Sequence, residues 1–485
     1  MKNNFIIDDN YIITFGVEIH AQLKTKTKAF SPSKNDLNAK ENTNINAIDL
    51  GYPGEKPLVN KKMIEFGYRI AKVLNTKIAK QISFDRKNYH YPDLAKGFQI
   101  TQYYQPIGVK GKFTIIDQKG NKKDIVISDV HLEEDTAKKI DLNNGFVGYD
   151  FNRAGIPLIE IVSDHKNFKT IEDVLNYVKQ IANQLIFIEV NDGKLFKGSF
   201  RVDVNISIRN KNDKKLGTRV ELKNLNSFNN IKLALETEIS DQIVKIKNGE
   251  KVLKVTKKFD EKSGKTIFIR KKTSLKEYNY IPEYNIPIIN LDKKSLDKFD
   301  QFKIIDTQLL RKKFIDKKYL ENEIDFILSS PKIYNLYQDL LNSKIDEKKI
   351  LSFLTTNLQG QFNLLKIDPL EFKLESKIIS QILKLHIENK ITTTKLNQFI
   401  NNLFLNKDIT KELFFFQKQI QFSEKELEKL IVDIINNNQE LADQYTNRPE
   451  RVEKFIIGQL MKISKGKANP KLATKLIKDY FLKNE

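Results

Sequence analysis

"IITFGVEIHAQL", residues 12–23, decides how the first half of this chain folds. Side chains in a strand alternate between the two faces of a sheet, so Ile13, Phe15, Val17 and Ile19 point one way and Glu18, His20 and Gln22 the other. An acid, an imidazole and an amide therefore share one side of a segment whose other side is apolar. The division recurs in "FRVDVNISI" (200–208), where Phe200, Val202, Val204 and Ile206 oppose Arg201, Asp203, Asn205 and Ser207. It recurs again in "TRVELK" (218–223), with Arg219, Glu221 and Lys223 on the polar side. An antiparallel sheet with one wet face also alternates in this way. Such a face is typically threonine and lysine, however, and this one mixes Glu, His, Asp and Asn.

Working outward, glycine marks a boundary: of 19 in the chain, only Gly360, Gly458 and Gly466 lie beyond Leu291. Before it, alternating runs are broken by "GYPGEKP" (51–57), "NRAGIP" (152–157) and "NDGK" (191–194), which read as turns or loops. Two helices stand among these strands. One covers 60–74 with Ile64, Tyr68 and Ala71 on a single face; the other is capped by Ser227 and runs through Ile231, Leu235, Ile239 and Ile243. Beyond 291 apolar residues recur at three and four, as in "KIISQILKLHIEN" (377–389) and "EKELEKLIVDII" (424–435). The expected class is α+β: an antiparallel or mixed sheet domain over 1–291, then all-helical modules.

The 485 residues carry 83 Lys and Arg against 62 Asp and Glu, a formal charge of +21. That balance suits a polyanionic partner such as nucleic acid, although an AT-rich genome also loads proteins with lysine. The absence of cysteine excludes disulfides, thiolate metal sites and a cysteine nucleophile. No run approaches the ~20 apolar residues of a membrane span, and "MKNNFIIDDN" has neither the apolar core nor the cleavage site of a secretion signal. The expected location is the cytoplasm.

Two further stretches concentrate chemistry. In "VHLEEDTAKK" (130–139) the adjacent Glu133, Glu134 and Asp135 would raise one another's pKa unless a cation binds there. In "IPLIEIVS" (156–163) Glu160 sits among Leu158, Ile159, Ile161 and Val162, and a lone buried carboxylate is costly. Its partner is either an arginine, with Arg153 at hand, or a divalent metal shared with Glu18, His20 and Glu134. Carboxylates with one imidazole suit Mg2+ or Mn2+. No P-loop, HExxH helix, GxSxG elbow or EF-hand spacing occurs, so a nucleotide would be held by metal and basic side chains. "FDRKNYHYPDLAKGFQITQYYQPIG" (84–108) offers Arg86, Lys87 and Lys96 among Tyr89, Tyr91, Phe98 and Tyr103. These are either charge with stacking surfaces or an aromatic loop packed on the sheet.

"GVEIHAQL", "FDRKNYHYPDLAKGFQI", "HLEED", "DFNRAGIPLIEIVS", "GSFRVDVNISIR", "VELKNLNSF" and "MKISKGKANP" stand in the order found in the GatB family, the B subunits of the aspartyl/glutamyl-tRNA amidotransferases, and the chain resembles that family over nearly its whole length. The resemblance implies a cradle domain over 1–291, a helical domain over 292–407 and a YqeY-like, tRNA-binding tail over 408–485. It implies an ATP- and Mg2+-dependent enzyme that phosphorylates the side-chain carboxylate of Glu-tRNA(Gln), and of Asp-tRNA(Asn), and then amidates it. A free carboxylate resists ammonia; an acyl phosphate has a good leaving group. Ammonia would come from the amidase GatA, with the small protein GatC completing a heterotrimer.

The implied metal residues are Glu18, His20, Glu133, Glu134 and Glu160, of which His20, Glu134 and Glu160 are catalytic. Arg86, Lys87, Tyr89, Lys96, Arg201 and Lys223 are the candidates for holding the nucleotide. In "ERVEKFIIGQLMKISKGKANPKLATKLIKDY" (450–480) two helices meet at "KGKANP", Pro470 opening the second. Val452, Phe455, Ile456, Leu460 and Ile463 form the expected core there, leaving Lys462, Lys465 and Lys467 for tRNA.

The chain departs from the family at several points. Phe196 and Lys197 replace two acids of a Met-Glu-Glu-Gly block, "DTAKK" stands for "DAGK", "YIPEYNIP" (280–287) lacks a proline and an aspartate, and paired cysteines of some members are missing between 30 and 55. Rate, substrate preference and the fit to partner proteins are the properties these changes touch. Two other functions share the same features: a metal-dependent nuclease, which needs no ATP, and an RNA-binding scaffold indifferent to loss of Glu134 or Glu160.

Overall fold

Apolar side chains at every second position hold Tyr11–Gln22 extended as β1, and Phe15, Val17, Ile19 and Ala21 are fully buried along it. The computed structural model describes residues 10–142, 145–271, 278–418, 424–442, 444–464, 468 and 470–483. Contacts divide the chain into two units, residues 1–324 with 328–331, and residues 325–327 with 332–485.

In the first unit β1 is followed by β2 (Lys77–Ile78), β3 (Gln81–Ile82), β4 (Asp85–Asn88), β5 (Phe98–Thr101), β6 (Gly108–Ile116), β7 (Lys122–Glu134), β8 (Lys138–Asp141) and β9 (Val147–Asp150). Then come β10 (Pro157–Ser163), β11 (Phe200–Asn210), β12 (Val220–Lys223), β13 (Val255–Asp260), β14 (Lys265–Lys271), β15 (Asn279–Pro282) and β16 (Ile289–Asn290). Nine of these form one sheet in the order β14-β13-β12-β11-β1-β10-β7-β6-β2. Its pairings are antiparallel except for β12 with β13, which makes it the mixed sheet expected. Smaller sheets join β15-β4-β5, β16-β3 and β8-β9. The opening segment is thus the central strand, with β10 and β11 on either side.

Helices α1 (Ala47–Leu50), α2 (Lys61–Val73), α3 (Ile171–Phe187), α4 (Phe228–Lys247) and α5 (Lys293–Phe299) follow from local signals. Asn60 caps α2, which buries Ile64, Tyr68 and Ala71. The Ser227 hydroxyl accepts from Asn230 N at 3.0 Å to start α4. Helix α3 lies outside the sequence reading, although Thr170 and Asp173 form a reciprocal capping box at its start. Val174, Tyr177, Ile181 and Leu185 of α3 and Ile231, Leu235 and Ile239 of α4 join the inward residues of β1 and β11 in one core. Each such side chain contributes roughly 1.5–3 kcal/mol on burial. The opposite face, carrying Glu18 and His20, is left for chemistry. Leu291 and Phe299 enter the same core, so residues 292–324 group with the sheet.

The second unit is helical among its described residues. Ser376–Ile387 and Glu424–Asn436 occupy the two stretches expected from periodicity. Glu424–Asn436, Pro449–Ile463 and Pro470–Lys483 share a core of Leu427, Ile431, Val452, Ile456, Leu460 and Ile477. Pro470 opens the last helix as expected. Phe455 packs against this core, whereas Ile463 is 54% exposed because it ends its helix and turns to the outer face. Lys462 is exposed; Lys465 and Lys467 lie outside the described residues. Among the described residues no helix is long and apolar enough to cross a membrane.

Candidate active site

Strand register assembles the polar face. His20 lies opposite Glu160 of β10 and Arg201 of β11, and Glu160 lies opposite His131 of β7. One step along, Leu158 faces Glu133; one step back, Glu18 faces Asp203 and Val162. Asn205 pairs with Gly16 on one side and with Glu221 of β12 on the other. Residues far apart in the chain thus become neighbours because alternation puts them on one face and hydrogen-bonded pairing fixes their height.

Among the described residues two groups of possible metal ligands result: His20, Glu133 and Glu160, and Glu18, Asp203 and Glu221. Within each, the ligand atoms lie within 4.8 Å of one another. In the first, His20 Nε2 is 3.5 Å from Glu160 Oε2 and 3.8 Å from Glu133 Oε1. His131 Nε2 lies 2.8 Å from the same Glu160 oxygen, and its Nδ1 lies 2.9 Å from Asp129 Oδ1. Gln99 Nε2 donates to Glu133 Oε2 at 3.1 Å. In the second group Asn205 Nδ2 donates to Glu18 Oε1 at 2.8 Å, Thr256 Oγ1 donates to Glu221 Oε2 at 2.7 Å, and Lys223 pairs with Asp203. Hard oxygen donors with one imidazole fit Mg2+ or Mn2+ better than zinc.

Protonation follows from this crowding. Burial and then the charge of Glu160 push Glu133 up, and burial with Glu160 and Asp203 pushes Glu18 up against the pull of Lys223. Burial works against the charge of Glu160 too, but His20 and His131 hold it well below the usual carboxylate range. Reciprocally, burial disfavours the charged imidazoles, and Glu160 overcomes it: His20 is raised and His131 raised strongly. A carboxylate kept anionic beside others inclined to take a proton is the expected signature of a cation site.

A cavity of about 270 Å3 opens over the first group and is also lined by Lys87, Arg201 and Lys223. Arg201 donates to Asp135 Oδ2 at 3.1 Å. Lys87 Nζ sits 4.7 Å from the Tyr278 ring centroid and 5.7 Å from that of Tyr89. Burial disfavours its charge, yet Glu133 and Tyr280 hold its pKa up. Tyr89 contacts Tyr91 and Tyr278 edge-on, and Tyr103 stacks on Tyr280 at 4.0 Å. The aromatic segment of 84–108 therefore stands on the small β15-β4-β5 sheet beside the acidic groups.

Not every sequence candidate converges. Glu134 points to the other face from Glu133; it pairs with Lys96 and accepts from Ile100 N at 2.9 Å, and belongs to neither ligand group. Arg86 is engaged by Glu283 at 2.5 Å and lies over Phe98. Arg153 does not reach Glu160: it donates to the carbonyls of Thr136 and Ala137 and lies 3.8 Å from Asp135. The partners of Glu160 are two histidines instead. His131 was not among the sequence candidates, nor were Asp203 and Glu221 as ligands. Their signal lay in alternation: His131 shares the side of Glu133 within β7, and Asp203 and Glu221 stand on the polar sides of 200–208 and 218–223. Phe196, one of the two residues expected to depart from the family's acidic block, is 75% exposed in the turn before β11.

Residues 13–297 match the GatB/GatE catalytic domain, and residues 335–481 match the GatB domain. The chain belongs to the GatB family. Among GatB relatives, the B subunit of the aspartyl/glutamyl-tRNA(Asn/Gln) amidotransferase of Mycoplasmopsis pulmonis is 40% identical over 473 residues, covering 97% of this chain and 98% of its own. The corresponding proteins of Mycoplasma mycoides and Ureaplasma parvum are 38% and 37% identical, covering 96% and 97% of this chain and 98% of each relative. The GatB/GatE catalytic match spans β1 to α5 and so contains both ligand groups.

Proposed function

We propose that this chain is the B subunit of a glutamyl/aspartyl-tRNA amidotransferase and carries the ATP-dependent step. The observation that supports it most is the convergence of His20, Glu133 and Glu160, beside Glu18, Asp203 and Glu221, under a cavity edged by Lys87, Arg201 and Lys223. Phosphoryl transfer to a carboxylate is mostly positioning and charge neutralisation. His20, Glu133 and Glu160 would hold Mg2+, which when bound draws charge from the phosphate oxygens. His131, fixed by Asp129, keeps Glu160 anionic and oriented. Lys87, Arg201 and Lys223 would hold the phosphates of ATP and the attacking side-chain carboxylate of Glu-tRNA(Gln) in line. Tyr89 and its aromatic neighbours limit water at that edge. Ammonia then displaces phosphate from the acyl phosphate. Glu134 with Lys96 borders this region and is retained as a catalytic candidate that works through its ion pair and not as a metal ligand.

Asp-tRNA(Asn) is a second substrate, GatA supplies ammonia, GatC completes the heterotrimer, and the assembly works in the cytoplasm. A cradle to residue 291, a helical domain to 407 and a tail from 408 that holds tRNA through Lys462, Lys465 and Lys467 is the division of labour. The test is coexpression with candidate GatA and GatC proteins, followed by incubation with Glu-tRNA(Gln), ATP, Mg2+ and glutamine. Formation of Gln-tRNA(Gln) that needs all of them supports the proposal. Cleavage of RNA without ATP would favour a nuclease, and tRNA binding without either reaction a scaffold.

A further inference from the structure

Gln99 of β5 borders the cavity over His20, Glu133 and Glu160, yet the phosphoryl-transfer scheme gives it no task. It is 6% exposed, and a polar side chain so deeply placed satisfies its hydrogen bonds within the protein. Its Nε2 donates to the Glu134 carbonyl at 2.7 Å and to Glu133 Oε2 at 3.1 Å. A backbone carbonyl can only accept, which settles which end of the amide faces it. Both amide hydrogens are then committed, one to the backbone and one to a ligand carboxylate. The remaining acceptor, Oε1, lies 3.5 Å from the Tyr89 hydroxyl.

That commitment divides the two oxygens of Glu133. Oε2 is taken by Gln99, while Oε1 lies 3.8 Å from His20 Nε2, within the ligand group. Glu160 repels the Glu133 carboxylate, and a side chain free to rotate would swing away from it. A tether that also grips the carbonyl of the next residue resists that swing. Ile100 does the same for Glu134, its N–H donating to Oε1 at 2.9 Å. Consecutive residues of β5 thus hold consecutive acids of β7 on opposite faces. Gln99 also stands opposite Lys87 of β4, which lines the same cavity. The strand pair next to Tyr89 is thereby fastened to the ligand group.

We infer that Gln99 is a positioning residue, which presents Glu133 Oε1 to the divalent cation and couples the strand bearing Lys87 to that ligand. It acts through Glu133. Outer hydrogen bonds to a ligating carboxylate are worth about 10–100-fold in metal affinity. The inference rests on the amidotransferase reading for its cation and deepens it by naming what aims the ligand.

Gln102 supplies a control. It is 2% exposed, accepts from Leu132 N of β7 at 3.0 Å and from Ile107 N at 3.2 Å, and donates to the Ser83 carbonyl, so its bonds reach neither ligand group. Mn2+ binding to the full-length chain, read by electron paramagnetic resonance, needs neither tRNA nor partner proteins. The binding step lost in Glu160→Gln marks the group of Glu133. Gln99→Met keeps the volume and removes both hydrogen bonds; it is expected to weaken that step by at least about tenfold, with Gln102→Met within about twofold of wild type. Gln99→Asn, a methylene too short to span both acceptors, keeps an amide in the interior and should show the same loss where Gln99→Met fails to fold. In the coexpressed complex the Mg2+ concentration giving half the maximal rate should rise about tenfold, while KM for Glu-tRNA(Gln) stays within about twofold. Unchanged Mn2+ affinity in a folded Gln99 variant, or an equal loss in Gln102→Met, overturns the inference, since the amide would then serve the backbone alone. A wild-type chain that binds Mn2+ but does not amidate in the complex refutes the functional reading alone. One that binds no Mn2+ removes the cation and this inference together.

Discussion

Replacing Glu160 by glutamine separates chemistry from stability. The carboxylate lies 2.8 Å from one imidazole nitrogen and 3.5 Å from another. At an effective dielectric of about 20, each pair attracts by roughly 5 kcal/mol if the imidazole is charged. Glu133 and Glu18 repel the same charge, and removing it from water costs several kcal/mol more. These terms oppose one another, and Gln keeps the shape, so the expected change in folding stability is at most about 2 kcal/mol in either direction. Catalysis has no such compensation. Loss of one anionic ligand and of the charge that fixes two histidines is expected to lower turnover by about a thousandfold, or ~4 kcal/mol.

The assay is amidation of Glu-tRNA(Gln) by the complex, with Mg2+ titrated, beside thermal unfolding of the same preparation. The pH dependence adds a second readout. His131 has a folded pKa above its unfolded value of 6.5, so in the metal-free chain its contribution is complete below 6.5 and is lost as pH rises through the folded value. Glu160→Gln should diminish that alkaline loss without removing it, because Asp129 and Glu133 still raise His131. Turnover within about tenfold of wild type at saturating Mg2+ would refute the role given to Glu160.

Other outcomes follow from the same geometry. Asp135→Asn removes the acceptor of Arg201 and the charge beside Arg153, and should cost about 1–3 kcal/mol, a buried-pair value discounted because the Arg201 side chain is one-third exposed. Burial opposes its charge but Arg201 and Arg153 depress its pKa, so its contribution is present above 3.8 and lost as pH falls through the folded value. The gap between wild type and Asp135→Asn in thermal unfolding should therefore close in acid; a constant gap would count against the ion pairs. His131→Asn should weaken Mg2+ affinity by about 10–100-fold in calorimetry, as loss of an outer hydrogen bond to a metal ligand does. Ser227→Ala should cost ~1 kcal/mol by unsealing α4, seen as a lower unfolding midpoint with unchanged amidation. Deleting residues 408–485 should weaken tRNA binding in filter assays while the heterotrimer still assembles, and unchanged tRNA affinity would refute the tail's role.

Several features were legible in the sequence because they are local. Alternation in residues 12–23 and 200–208 gave strands with a fixed polar side, periodicity gave helices such as Glu424–Asn436, and Asn60, Ser227 and Pro470 marked helix starts. Glu18, His20, Glu133 and Glu160 could be chosen because each is a charge or imidazole inside an otherwise apolar strand. Which of them meet was decided by pairing. Only register sets His20 beside Glu160, splits Glu18 away to Asp203 and Glu221, and gives Glu160 two histidines in place of Arg153. Likewise the opposite directions of Glu133 and Glu134 have meaning only once β7 is seated against β10. Alternation is a property of one strand, whereas proximity across strands depends on alignments that no single segment encodes.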